Sequence, residues 1–440
     1  MKPHFLIAAP SSGSGKTTIT LGLLRLLHNK GLKTQAFKCG PDYIDTAHHT
    51  MASKQPGINL DSFMMPPAHI EDLFYKYSLP ADVTVVEGVM GLFDGAIKTK
   101  GSTAEIALLL QLPVILVVNA RAMAYSAAAL LFGYKNFNPA VTIKGVIFNF
   151  VKSENHYRHL REACEDVGLE ALGYLPENKD IQLPSRHLGL ALTPENDYES
   201  IVEKAAAHIE KNINIERLLE ITCCEKPYNE RLFHEPINTS KKEIKISVAR
   251  DAAFNFIYHE NMVLFEKLGH LTFFSPLTDT EFPKTDLLYL PGGYPELFLK
   301  ELSENTAMRN AIYTYCNEGG KVLAECGGMM YLGNFIDDKL GQSFPMCGFL
   351  DLKTTMKNAR LSLGYRSFTY KEHTFKGHEF HYSSCIENTT IPQLGQVSDA
   401  REKAANSPLY HKKNVLATYL HFYWGDLECS AWLSGSNALF

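Results

Sequence analysis

Residues 10–17 read PSSGSGKT, and this stretch limits the possible folds more than any other part of the chain. Gly13 and Gly15 let the backbone curl so that its N–H groups converge on one point. Such a loop needs a strand before it and a helix after it, because the helix N-terminus adds partial positive charge facing an anion. Both flanks are present: residues 5–9 form a short apolar run, and Ile19, Leu23, Leu26 and Leu27 recur at helical spacing before Gly31. The loop fits the pattern G-x-x-x-x-G-K-S/T except at Pro10, where Gly is usual. Ser12, Gly13, Ser14, Gly15, Lys16, Thr17 and Thr18 are therefore expected to hold the triphosphate of ATP. Lys16 reaches the β- and γ-phosphates, and the Thr17 hydroxyl is a ligand for Mg²⁺.

Beyond the loop, apolar runs at residues 83–86, 114–118 and 146–148 alternate with helix-like stretches at 103–111 and 123–133. Buried strands alternating with helices read as a mostly parallel sheet covered on both faces. Around residues 222–242 the pattern lapses into a polar segment with two prolines. A second α/β series starts at residue 244 and runs through 271–274, 287–290 and 322–324, with shorter, mixed strands after about 345. The expected organisation is a P-loop domain over 1–222, a linker over 223–243 and a second α/β domain over 244–440. A chain of 440 residues accommodates two such cores.

Composition removes several classes of partner. The net charge of -5 gives no basic excess for nucleic acid or an anionic membrane. The apolar run 5–9 is too short for a secretory leader, and no run approaches the ~20 residues that span a bilayer. Nine cysteines lie without a CxxC pair, which fits a reducing compartment, the cytoplasm. A homodimer is left open.

Two acidic clusters stand at expected strand ends. Glu87 ends a strand in EGVMGLFDG, and Asp42 and Asp45 lie in CGPDYID. A carboxylate at the C-terminal end of a parallel strand faces the crevice where ligands bind. Turn and capping chemistry explains the same residues equally well. In the second half, VLAECGGMMYL (322–332) reads as strand, sharp turn and helix, the elbow that presents a nucleophile. Cys326 at that turn would sit over a helix N-terminus that favours thiolate. The backbone N–H groups of Gly327 and of Gly293, in the loop LPGGY, are candidates for an oxyanion hole. His421, after an apolar run near the chain end, is the candidate base. A buried structural thiol is the competing reading of Cys326. His378 and His381 in GHEFHYS lack a third ligand, so contact with substrate or a structural role suits them better than metal binding.

In order, PSSGSGKTT, GPDYID, EGVMGLFDG, LPSRHLGL, LPGGYPE, AECGGMMYL, GHEFHYS and TYLHFYW resemble the cobyrinate a,c-diamide synthase family of cobalamin synthesis over about residues 1–435. The front half is similar to dethiobiotin synthetase and the back half to class I glutamine amidotransferases. The resemblance implies ATP- and glutamine-dependent amidation of a corrinoid's a- and c-acetate groups through acyl phosphates. It implies metal binding by Thr17, Asp45 and Glu87, and roles for Asp42, Tyr43 and Asp94 in catalysis and in handling the tetrapyrrole. It also implies adenine recognition near Asn149, with Cys326 as nucleophile and His421 as base. Hydrogenobyrinate and nickel sirohydrochlorin are alternative substrates. Cobyric acid synthase, a P-loop switch with an interaction domain, and a tetrapyrrole carrier are alternative classes. The sequence departs from the family pattern at three places. Tyr423 stands where many class I amidotransferases carry Glu, Ala324 replaces the first elbow glycine, and Asn119 stands where Asp is expected.

Overall fold

A computed structural model describes residues 2–183, 197–224, 244–371, 373–387 and 391–426. LPSRHLGL beyond Leu183, the linker residues 225–243 and the chain beyond 426 lie outside the described residues. The chain divides into two compact units.

The first unit begins with β1 (Lys2–Ala8), α1 (Lys16–Asn29), β2 (Thr34–Cys39), α2 (Tyr43–Ser53), β3 (Ile58–Leu60), α3 (Pro67–Ser78) and β4 (Val83–Glu87). It continues with α4 (Thr103–Leu109), β5 (Val114–Asn119), α5 (Ala127–Phe137), β6 (Ile143–Asn149), α6 (Glu154–Val167) and β7 (Glu170–Leu175). It closes with α7 (Tyr198–Asn212), α8 (Ile215–Ile221) and β8 (Cys223–Cys224). The main sheet has the order β3-β2-β4-β1-β5-β6-β7, and its strands are parallel. The chain winds from β1 to one side, then crosses back to β5, so loops leave the C-terminal edge in opposite directions around β1. A ligand crevice forms where the winding reverses in this way. Cys223 and Cys224, the first residues of the expected linker, pair antiparallel with Pro3 and Lys2.

The apolar runs read as strands are strands, buried on both faces. Phe5, Leu6 and Ile7 are fully buried, as are Ile115, Leu116 and Val117. The helix expected over 123–133 starts later, at Ala127. One face of the sheet is sealed by α1 and α7, whose closest approach is at Gly22. A Cβ there would lie 2.5 Å from Ile209 Cδ1 and 3.0 Å from the Ala205 carbonyl oxygen.

The second unit contains β9 (Ile244–Ala249), α9 (His259–Leu268), β10 (Gly269–Phe274), β11 (Leu287–Leu290), α10 (Leu299–Glu304), α11 (Thr306–Asn317), β12 (Lys321–Glu325) and α12 (Gly327–Leu332). After these come β13 (Phe335–Asp337), β14 (Ser343–Pro345), β15 (Leu352–Thr355), β16 (Ser362–Tyr370), β17 (His373–His381) and β18 (Ser384–Glu387). The last strands are β19 (Ser398–Asp399), β20 (Leu409–Lys412), β21 (Val415–Thr418) and β22 (Leu420–Phe422). The central sheet, β10-β9-β11-β12-β21-β20, is parallel except for β20. Two four-stranded sheets accompany it, β14-β13-β15-β18 and β19-β16-β17-β22. β16 and β17 are each nine residues long, longer than the short strands expected there. The apolar run 415–422 is two strands: β21 joins the central sheet, and β22, one residue later, joins the other. No described helix is long and apolar enough to cross a membrane.

Gly22→Val should push a side chain into the Ala205 backbone and destabilise the protein by about 2 kcal/mol, as overpacked cores do. Urea denaturation measures it, and an unchanged midpoint would mean that the two helices are free to separate.

Candidate functional site

The phosphate loop leaves β1 with Gly13 at φ 77° and Gly15 at φ 90°, both in the left-handed region open to glycine. Ser14 Oγ donates to the Ser11 carbonyl at 2.9 Å, while Ser12 is exposed. Asn149, the last residue of β6, lies against the loop. Its Nδ2 donates to the Ser14 carbonyl at 3.0 Å, and a Cβ on Gly15 would come within 2.1 Å of that nitrogen. Beside the loop is a cavity of about 340 Å³ lined by Gly13, Gly15, Thr18, Arg121, Asn149 and Phe150, among others. Arg121 stacks over the Phe150 ring at 4.8 Å and pairs with Glu177 at 2.7 Å. Pro10 keeps a use for its carbonyl, which accepts from Tyr134 OH at 3.0 Å. Lys16 Nζ donates to the Met90 carbonyl at 2.8 Å, tying the loop to the segment after β4.

Thr17, Asp45 and Glu87 come together as expected. The Thr17 hydroxyl donates to Glu87 Oε1 at 2.6 Å. Between the two carboxylates stands Lys38, which sequence reasoning passed over; its ammonium lies 2.5 Å from Asp45 Oδ2 and 2.9 Å from Glu87 Oε1. His49, also missed, places Nε2 2.7 Å from Glu87 Oε2. Lys38, Asp45, His49 and Glu87 are all buried. Burial alone would raise the Glu87 carboxyl, but Lys38 and His49 together hold it at about 2. Burial would also lower the Lys38 ammonium, and Asp45 and Glu87 outweigh it, raising that group above its ordinary range. A lysine next to the end of a fully buried strand was the available signal, since an interior cation requires partners.

The other positions carried over by resemblance lie at the start of α2 and in the loop after β4, and the Asp42 carboxylate adds to the charge facing Lys38. Asp42 caps α2, its Oδ1 accepting from Asp45 N–H at 2.8 Å. Tyr43 is the buried first residue of that helix. Asp94 Oδ2 accepts from Gly91 N–H at 3.0 Å, within its own loop. Asn119 Oδ1 accepts from Arg121 N–H at 3.1 Å.

In the second unit, Cys326 caps α12 at φ 46°, ψ -104°, a backbone conformation that side chains rarely adopt and that marks an elbow. Its N–H donates to the Thr418 carbonyl at 2.6 Å. Gly328 permits the sharp turn, because a Cβ there would lie 2.1 Å from the Leu290 carbonyl oxygen. The loop at 292–293 touches both remaining candidates. A Cβ on Gly292 would meet His421 Cε1 at 2.1 Å, and a Cβ on Gly327 would lie 3.2 Å from Gly293 N. His421 lies within β22, opposite His378 of β17. Tyr423 packs edge-on against Tyr258, with centroids 5.6 Å apart.

Burial works against the expected thiolate. Burial, then the Glu296 carboxylate, raise the Cys326 thiol well above its ordinary value, against a lowering contact from Gly327 N–H. The sulfur lies 3.8 Å from the Phe380 carbonyl. Burial and the neighbouring His378 and His381 rings lower His421 to about 3. Burial therefore opposes charge on both side chains. His381 stacks on Tyr419 at 3.6 Å and places Nε2 2.9 Å from Glu379 Oε1, a carboxylate that also meets Arg366 and Ser407.

Comparison with known proteins matches a family to each half of the chain. A CobQ/CobB/MinD/ParA nucleotide binding domain matches residues 5–190, and a CobB/CobQ-like glutamine amidotransferase domain matches residues 245–428. The cobyrinate a,c-diamide synthase of Caldanaerobacter subterraneus subsp. tengcongensis is 40% identical, covering 95% of this chain and 94% of its own. This chain belongs to the cobyrinate a,c-diamide synthase family. The enzyme of that name from Archaeoglobus fulgidus is also 40% identical, over 96% of this chain and 94% of its own, and the one from Streptococcus sanguinis is 39% identical over 98% of each. As a member, the chain is a glutamine-dependent amide ligase with a nucleotide-binding front domain.

Glu87 provides a pH test. A carboxyl held at about 2, against an ordinary 4.5, adds stability above pH 4.5 that is lost as the pH falls toward 2. Between pH 4.5 and 3, stability in urea should fall more steeply for the wild type than for Glu87→Gln; parallel slopes would show that the carboxylate is not held ionised. A second test concerns Cys326. Mass-mapped alkylation by iodoacetamide at pH 7.5 should modify exposed Cys223 well before the buried Cys326 thiol. The reverse order would point to a resting thiolate.

Proposed function

We propose that the chain amidates the a- and c-acetate carboxylates of cobyrinate, activating each with ATP and taking nitrogen from glutamine. The observation that carries this reading is the 40% identity, over nearly the whole of both chains, to enzymes named cobyrinate a,c-diamide synthase. The geometry supplies a chemical rationale. A substrate carboxylate oxygen attacks the γ-phosphorus of ATP, the bond to the bridging oxygen breaks, and ADP leaves with that electron pair. Lys16 and the loop N–H groups lie where charge develops on the phosphates. Ammonia then attacks the acyl carbon, phosphate departs, and loss of a proton leaves the amide.

Thr17, Asp45 and Glu87 are hard oxygen donors gathered at one point, which fits Mg²⁺ when phosphate oxygens complete the shell. Mg²⁺ would supply neutralisation of phosphate charge. Lys38 already neutralises the same carboxylates, so a metal held by them would share them with its ammonium. Adenine would take the cavity lined by Arg121, Asn149 and Phe150, where the Arg121 guanidinium stacked on the Phe150 ring offers a planar surface to a purine.

For ammonia, Cys326 gives its proton to His421 as sulfur bonds to the glutamine amide carbon. The oxyanion forms near the N–H groups of Gly293 and Gly327. His421 returns the proton to the departing ammonia, and water hydrolyses the thioester to glutamate. The described cysteines are free thiols, consistent with work in the cytoplasm.

The test is a mass measurement on cobyrinate incubated with the protein, ATP, Mg²⁺ and glutamine. Two successive exchanges of OH for NH₂ are expected. Cys326→Ala should lose synthesis from glutamine and keep synthesis from ammonium chloride. Unchanged cobyrinate alongside amidated hydrogenobyrinate or nickel sirohydrochlorin would move the assignment to that macrocycle, and turnover of neither would reject it.

A further inference from the structure

The strand that carries His421 is short and is fastened in an unusual way. β22 has three residues and ends the order β19-β16-β17-β22, so only one of its edges is paired within that sheet. An unpaired edge in a buried strand leaves N–H and C=O groups that require other partners. Two side chains supply them. Glu325 Oε1 accepts from Phe422 N–H at 3.2 Å and from Trp424 Nε1–H at 3.0 Å, and its Oε2 accepts from Tyr289 OH at 2.9 Å. Asn261 of α9 donates from Nδ2 to the Phe422 carbonyl at 2.9 Å, and its Oδ1 accepts from Trp424 N–H at 2.6 Å. Glu325 is 1% exposed and Asn261 0%, so water does not compete for these bonds.

The clamp grips the chain on both sides of Tyr423, the position where a carboxylate is usual. It also joins the two halves of the chemistry, since Glu325 immediately precedes Cys326 and bonds the residue immediately after His421. We propose that Glu325, assisted by Asn261, is the positioning residue of this site. It aims the His421 imidazole by holding the backbone behind it, in place of a carboxylate at 423. This rests on the Cys326–His421 reading of glutamine hydrolysis. Every visible partner of Glu325 is a donor, so an acceptor oxygen is required and a negative charge is not. Glutamine keeps the Oε1 acceptor for Phe422 N–H and Trp424 Nε1–H, the bonds that hold the chain after His421, and gives up the bond from Tyr289 OH.

The experiment compares Glu325→Ala, Glu325→Gln and Cys326→Ala in the full-length protein, measuring kcat and KM for glutamine hydrolysis and, as a control for folding, ammonia-supported amidation of cobyrinate. Glu325→Ala should lose about 100-fold in kcat, the scale of a misplaced catalytic group, with KM changed less than about threefold and ammonia-supported synthesis retained. Glu325→Gln should stay within about threefold of wild type with an unchanged pH–rate profile. The proposal is overturned if Glu325→Ala keeps its kcat, if Glu325→Gln falls as far as Ala, or if ammonia-supported synthesis falls in step with hydrolysis. Glutamine hydrolysis surviving in Cys326→Ala would reject the underlying reading, whatever the Glu325 variants do.

Discussion

A carboxylate that ends a central parallel strand and is closed off from water must find all its partners inside the protein. Each unit of this protein places such a residue next to its reactive loop, Glu87 at the end of β4 and Glu325 at the end of β12. The local architecture follows from how each charge is met. Glu87 is met by the Lys38 cation and His49, and its carboxyl lies at about 2. Among the described residues Glu325 is met by the neutral donors Trp424, Tyr289 and Phe422 N–H, burial prevails over them, and its carboxyl rises to about 8. The same residue type in equivalent places is therefore held firmly ionised in one site and close to neutral in the other. The first arrangement suits a place where cations and phosphates exchange. The second suits a fixed mechanical tie.

Much of this was legible in the sequence because local patterns and global fold agree. The strand, glycine loop and helix at the front are determined by contiguous residues, as is the elbow at Cys326. The residues that escaped notice depend on partners far away in the chain. Lys38 meets Glu87 across 49 residues and Glu325 meets Phe422 across 97, and no period or spacing reports such a pair. Asp42 shows the opposite difficulty: capping and a place among site carboxylates call for the same residue type, and Asp42 both caps α2 through Asp45 N–H and adds charge facing Lys38. The thiolate expectation weighed the helix N-terminus and left out burial, which acts against it. α12 has only six residues, and the sulfur beside it is shut away from water.

The smaller sheets of the second unit were the least legible. In the sheet β19-β16-β17-β22, the face that carries core residues Phe368 and Phe375 also carries Arg366, Glu379 and His381, which form a buried polar network with Ser407. Alternation of this kind reads weakly when the inward polar residues are themselves buried. Glu379 in particular looks like a surface residue in GHEFHYS, yet it is 2% exposed.

The break at Tyr419 has a consequence for how the second site keeps its shape. Cys326 N–H is bonded to the Thr418 carbonyl, and His421 is three residues further along the same chain. Sulfur and imidazole come from positions 95 residues apart in the sequence, but through that bond the connecting path is only a few peptide units long. Fluctuations elsewhere in either sheet carry both groups together, so their mutual distance tolerates a good deal of breathing in the fold. A one-residue insertion or deletion between 418 and 421 has no such tolerance, for it would turn the imidazole to the opposite side of the strand while leaving the sulfur where it was.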